Sequence, residues 1–171
     1  MYLNLLAAAS DKRVEQSAHP SFADVIKQLT AVEAGALAGV LGAAGGMHPI
    51  VEIRCRAATP DVPDAPGFTV LATHVMNWAQ GGRQVAAPER SLFVDNWVRQ
   101  GLVTVTYDFQ SFTDEARYAW VDTCPPIVEA REHLDTQEFK RVEIQHGVLK
   151  ATDFGRAFYR VVIAPPTEEM K

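Results

Sequence analysis

Five histidines, His19, His48, His74, His133 and His146, and two cysteines, Cys55 and Cys124, are the side chains here that suit metal binding or nucleophilic attack. Zinc needs three or four converging ligands, usually including a close pair in the sequence. The histidines are scattered without an HxH or HExxH pair, and the cysteines form no CxxC. No metal site is therefore expected. His19 and His48 each precede a proline and read as residues at the entry to an element. Cys124 stands before two prolines and near Asp122, whose charge raises a thiol pKa, so a structural thiol is expected. Cys55 alternates onto the apolar side of a strand and reads as a small core residue.

Other catalytic patterns are equally thin. No GxSxG elbow occurs, so a serine hydrolase has no support. The glycines of GAAGG at 42–46 close a helix, whereas a phosphate cradle precedes one and uses its positive end. Asp114-Glu115 suits the first turn of a helix, where acid is favoured electrostatically, and Glu168-Glu169 lies in the tail. Neither reads as an acid/base pair held in divergent environments. The expectation is a protein that is not an enzyme, with no catalytic residues and no cofactor.

Binding to nucleic acid has a structural rationale. A helix over 88–100 would carry Arg90 and Arg99, offset by Glu89 and Asp95. Residues 140–160 hold Lys140, Arg141, Lys150, Arg156 and Arg160 against Glu143 and Asp153. The candidate nucleic-acid contacts are therefore Arg90, Arg99, Lys140, Arg141, Lys150 and Arg156. The net charge of −5 and pI near 5.5 oppose that reading, because affinity for a phosphate backbone rests on many Lys and Arg contacts. The aromatics Trp78, Trp97, Trp120, Tyr107 and Tyr118 fit a core, and two of them sharing an exposed patch would favour a protein interface instead.

The elements that must position these groups centre on 88–105. Pro88 suits the first helical position, and Leu92, Phe93 and Trp97 share a helical face. Gly101 is suited to the left-handed turn that closes a helix, and Leu102 to folding back onto the last turn. Val103, Val105 and Tyr107 alternate with threonines, which predicts a strand leaving at once.

Residues 1–10 read as the end of an amphipathic helix, and the abrupt start suggests a longer protein. Pro20 opens a helix with Phe22, Val25, Ile26 and Leu29. Thr30 and Glu33 form a capping box for the next, which Gly45-Gly46 ends. Residues 50–57 alternate, with Val51, Ile53 and Cys55 inward and Glu52, Arg54 and Arg56 on a wet face. Three prolines mark a loop near 60–66. Residues 68–78 are ambiguous, and the spacing of Phe68, Leu71, Val75 and Trp78 favours a helix. Short helices are predicted at 113–121 and 126–134. His146-Gly147 is expected to split two short strands. Thr152 caps a final helix with Phe154, Phe158 and Val161 or Val162 as its apolar stripe.

With 171 residues, 47% hydrophobic and 22% charged, the composition is that of an ordinary soluble domain. The apolar start lacks a basic leader and is too short to span a bilayer. The cysteines read as reduced thiols of a cytoplasmic protein.

The runs HPSFADVIKQLTAVEAGAL, VDNWVRQGLVTV and GVLKATDFGRAF, in that order, resemble the abortive-infection alpha (Abi-alpha) family, from about residue 3 to Phe158. The resemblance implies a bacterial cytoplasmic protein linked to limiting phage infection, and it supplies no catalytic residues. Residues 60–83 match none of these runs.

The fold expected is α+β, a winged-helix-like unit of helical bundle and small antiparallel sheet, with a helical insertion between its last strands. A single domain over 1–163 and a loose tail over 164–171 follow. The function expected is non-enzymatic binding of a protein partner, with a winged-helix DNA-binding regulator as the alternative. Self-association stays open, and no membrane partner is expected.

Overall fold

The computed structural model describes residues 19–57, 67–80, 83–84, 89–107, 111–137 and 140–164. The expected helix over 1–10, the proline loop at 60–66, Gly81-Gly82, Pro88 and the tail from 165 lie outside the described residues. The architecture is α+β with a four-stranded antiparallel sheet. In chain order the elements begin with α1 (Ser21–Lys27), α2 (Ala31–Gly42), β1 (Met47–Ala57) and β2 (Thr69–Met76). Short β3 (Ala79–Gln80) and β4 (Arg83–Gln84), then α3 (Glu89–Arg99) and β5 (Val103–Thr106), come next. A 3₁₀ helix (Glu115–Thr123), α4 (Pro125–Leu134), β6 (Lys140–Ala151), α5 (Asp153–Phe158) and a π-helical turn (Tyr159–Ile163) complete the chain. The main sheet has the order β2-β1-β6-β5, and β3 and β4 pair separately.

The chain divides into two compact units. One comprises Met1–Met47, Asn96–Thr104 and Lys150–Lys171; the other comprises His48–Asp95 and Val105–Leu149. In the first, local signals set the element ends. Thr30 accepts the Glu33 amide at 3.2 Å while the Glu33 carboxylate accepts the Thr30 amide at 3.4 Å, the reciprocal capping box of α2. Gly101 takes φ +72°, with Leu102 N–H on Trp97 O and Gly101 N–H on Val98 O, both 2.9 Å, which is the Schellman closure of α3. Thr152 accepts the Gly155 amide at 2.9 Å to cap α5, and its hydroxyl also donates to Gly101 O at 2.6 Å. Gly155 lies so close to the Leu102 carbonyl that any Cβ there would overlap it. Fully buried Phe22, Leu37, Trp97, Leu102, Phe158 and Val162 fill this unit.

In the second unit, Val51, Ile53, Val75, Tyr118, Val121, Cys124, Ile127 and Val142 form one core beneath the 3₁₀ helix and α4. Tyr118 anchors it by donating to Gly147 O at 2.7 Å and accepting the Phe112 amide at 3.2 Å. His146 stacks on Tyr118 with centroids 3.9 Å apart.

Four expectations need correction. Residues 69–76 form a strand, not a helix. The pairs Val51↔Val75, Ile53↔Ala72 and Arg54↔Val70 leave extra residues on β2, so it carries two irregularities. Those insertions break the two-residue period of the strand, so the spacing of Phe68, Leu71, Val75 and Trp78 resembles that of a helix although Phe68 and Leu71 are exposed and only Val75 of the four is buried. The strand around His146-Gly147 is continuous from Lys140 to Ala151. Gly147 is there because a Cβ would meet the Tyr107 ring at 2.5 Å and the Thr106 carbonyl at 2.6 Å, a close approach rather than a turn. Glu52 is not on a wet face; it is buried at 8% exposure. Leu92 is not on the core face of α3: it is 66% exposed, and Val94 and Trp97 are the buried pair.

Candidate functional site

The unexpected burial of Glu52 marks the most concentrated polar chemistry among the described residues. Alternation along β1 sends Glu52, Arg54 and Arg56 to the face opposite the core, and Glu143 and Gln145 of β6 answer them. Arg54 Nε donates to Glu52 Oε1 at 2.5 Å, and its Nη1 donates to Gln145 Oε1 at 3.1 Å. Arg56 Nε donates to Glu143 Oε1 at 2.7 Å. That guanidinium holds the Glu143 carboxyl below its ordinary pKa. The side chains of Arg54 and Glu52 are only 12% and 10% exposed, so each charge depends on its partner.

The network continues to β2 and to the residue after β5. Gln145 Nε2 donates to Tyr107 O at 3.0 Å, and the His74 amide donates to the Tyr107 hydroxyl at 2.9 Å. Burial pushes the Tyr107 phenol well above its ordinary pKa, so at neutral pH it stays protonated and serves as a hydrogen-bonding group. His74 sits in the irregular part of β2 at φ +57°, a left-handed conformation uncommon for a residue with a side chain. Its Nδ1 lies 3.0 Å from Asp95 Oδ1, though off the direction of a good hydrogen bond. A histidine beside a carboxylate is half of an acid/base apparatus. The neighbouring hydroxyl, Ser91 Oγ, instead donates to Thr73 O at 3.1 Å. The arrangement is charge-balanced and internally bonded, which ties strands together and fixes the β2 edge.

At that edge Phe68, Val70 and Leu71 remain 45%, 43% and 43% exposed. Val70 stands opposite Arg54 in the ladder, and the Arg54 guanidinium lies 4.0 Å from the centre of the Phe68 ring. Leu71 is the extra residue between the Ile53↔Ala72 and Arg54↔Val70 pairs.

The six candidate nucleic-acid residues are divided between the two units: Arg99, Lys150 and Arg156 in the first, and Arg90, Lys140 and Arg141 in the second. Arg90 places its guanidinium 5.1 Å from the Trp78 ring centre. Arg99 is bound to Gln28 Oε1 at 2.7 Å and Asn96 Oδ1 at 2.6 Å. Asn96 in turn donates to buried Glu33 at 2.6 Å and to Gln28 O at 3.1 Å, so this end of α3 is engaged inside its own unit. Lys140 and Arg141 are exposed at one end of β6, and Lys150 is exposed at the other. Arg156 donates to Ala151 O and Asp153 Oδ1, both at 2.6 Å.

Cys124 is buried, and desolvation raises its pKa; Cys55 is half-buried. Among the described residues no three His, Cys, Asp or Glu side chains converge as metal ligands. No described helix is long and apolar enough to cross a membrane. The trace of this ladder in the sequence is the alternation of Glu52, Arg54 and Arg56, with Glu143 and the neutral Gln145 as polar partners on β6.

Comparison with known proteins gives a family. No curated protein matches the sequence. A solved structure of an uncharacterized protein from the hydrocarbon-degrading marine bacterium Alcanivorax borkumensis SK2 is similar at 15% identity and a TM-score of 0.45. That alignment covers 91% of this chain and 99% of the other. The profile for abortive infection alpha matches residues 1–162, the span that holds all three runs noted in the sequence. The chain belongs to the abortive infection alpha family.

Proposed function

We propose that this chain is a non-enzymatic protein-binding domain of a bacterial cytoplasmic abortive-infection system, docking its partner along the outer edge of β2. The observation that carries the reading is exposed Val70 and Leu71 on β2, with exposed Phe68 just before it, on a strand that is an edge of the sheet among the described residues. An edge strand presents unpaired backbone groups, and exposed apolar side chains along it supply pockets and area for an added strand. The ion-pair ladder holds that edge from behind, because Arg54 reaches both Glu52 and the Phe68 ring.

The winged-helix-like plan is part of this proposal; what supports it is that α3 leads into β5 through Gly101 and that two helices lie between β5 and β6 in the chain. The DNA-regulator alternative would use α3, and the engagement of Arg99 and Asn96 by Gln28 and Glu33 favours the protein-binding reading instead.

The test compares partners crosslinked in phage-challenged bacteria to the native chain, to Val70→Lys/Leu71→Lys and to Leu92→Lys. A defined partner lost from the double variant and kept by Leu92→Lys is expected, together with loss of any phage protection the native chain confers. Identical partners from all three proteins, or salt-dependent retardation of duplex DNA that survives the edge substitution, would overturn the reading.

A further inference from the structure

The helical stretch from 153 to 163 has two faces. Phe158 and Val162 are fully buried, and Phe154 packs on Phe22 with ring centres 5.3 Å apart. On the other side Asp153, Arg156, Tyr159 and Arg160 join Leu41 of α2 around an open cleft of about 380 Å³. We propose that this cleft binds a small organic phosphate of nucleotide size.

The volume lies in the range typical of small-molecule sites. Two guanidiniums against one carboxylate leave the lining cationic. Ala151 O and Asp153 each take one nitrogen of Arg156, which fixes its plane while leaving further N–H donors unused. Arg160 is exposed and has no bonding partner among the described residues, and a guanidinium so placed suits bidentate contact with a phosphate. The Tyr159 hydroxyl is likewise unpartnered among the described residues, and its ring adds a planar apolar wall beside Leu41.

The sequence makes room for that wall. A Cβ on Gly42 would stand 2.6 Å from the Tyr159 hydroxyl and 3.0 Å from ring carbons, so glycine lets the ring lie against the end of α2. Tyr159 also begins the π-helical turn, closed by Ala164 N–H on Tyr159 O at 2.8 Å. Single widened turns of this kind occur often at functional sites. Phosphate on the arginines and a planar group against Tyr159 would satisfy both halves of the lining. This inference is independent of the β2 edge and stands or falls separately.

Titration of the full chain by calorimetry at low salt, with adenosine monophosphate, inorganic phosphate and adenosine as probes, tests it. Saturable binding of the nucleotide is expected, tighter than either part alone, and weakened by salt. Arg160→Gln removes an exposed side chain and should lower nucleotide affinity about tenfold. Gly42→Ala should lower it as well, by displacing Tyr159, whereas Lys140→Gln should leave it unchanged. No saturable nucleotide binding, equal affinity for phosphate and nucleotide, or equal losses from Arg160→Gln and Lys140→Gln would each overturn the proposal.

Discussion

In the unit that contains α1, α2 and α5, polar side chains close helix ends; in the unit that contains β2, they tie strands to one another. Thr30, Glu33 and Asn96 belong to the first kind. Glu33 satisfies the Thr30 amide and takes the Asn96 amide group, so one buried carboxylate serves both a cap and a contact with α3. Glu52, Arg54, Gln145, Arg56 and Glu143 belong to the second kind: Arg54 pairs with Glu52 within β1 and reaches Gln145 of β6, and Arg56 pairs with Glu143 across the two strands. The difference matters because a capping bond contributes roughly 1 kcal/mol and is lost singly. A charge removed from a desolvated pair leaves its partner uncompensated, at several kcal/mol. The helical unit should therefore depend mainly on packing, and the strand unit on complete pairs.

The comparison can be broken at its strongest point first. Trp97 is fully buried on α3, so Trp97→Ala should cost about 3–5 kcal/mol in thermal or denaturant unfolding. An unchanged midpoint would put the indole on the surface and return α3 to a recognition role. A smaller effect is expected in the ladder. Arg54→Ala strands Glu52, which is 8% exposed, and should cost about 3 kcal/mol. Replacing Glu52 and Arg54 together by Leu and Met should restore most of that loss. If the double variant were as unstable as the single one, the pair would not be the source of the dependence.

How much of this was legible depended on how local the determinants were. The Thr30–Glu33 box, the Gly101 closure and the Thr152 cap lie within a few residues of what they satisfy, and the sequence displays all three. Glu52 looked solvated because its environment is set from afar: its partner Arg54 also binds Gln145, 91 residues away. The misreading of β2 has a different cause. Inserted residues at Leu71 and at Thr73-His74 break the two-residue period that identifies a strand, and the remainder imitates a helix. Leu92 was misplaced because its large apolar side chain sits beside the buried stripe of α3 rather than on it. For the basic residues, the sequence shows charge but not whether each charge is already used. Arg99 and Arg156 are used, and Arg160 has no bonding partner among the described residues. The cleft around Arg160 also needs Gly42, more than a hundred positions earlier, which no local pattern announces.

Amide hydrogen exchange on the native chain tests most directly the claim that α3 is held by its buried Val94 and Trp97 while β2 is a sheet edge among the described residues. Opening free energies in a folded domain run from near zero at frayed segments to the global value in the core. The amides of Val94 to Val98 should exchange only through global unfolding, and those of Val70 and Leu71 should be among the fastest of any strand residue. Fast exchange along α3 with globally protected amides at Val70 and Leu71 would contradict the account.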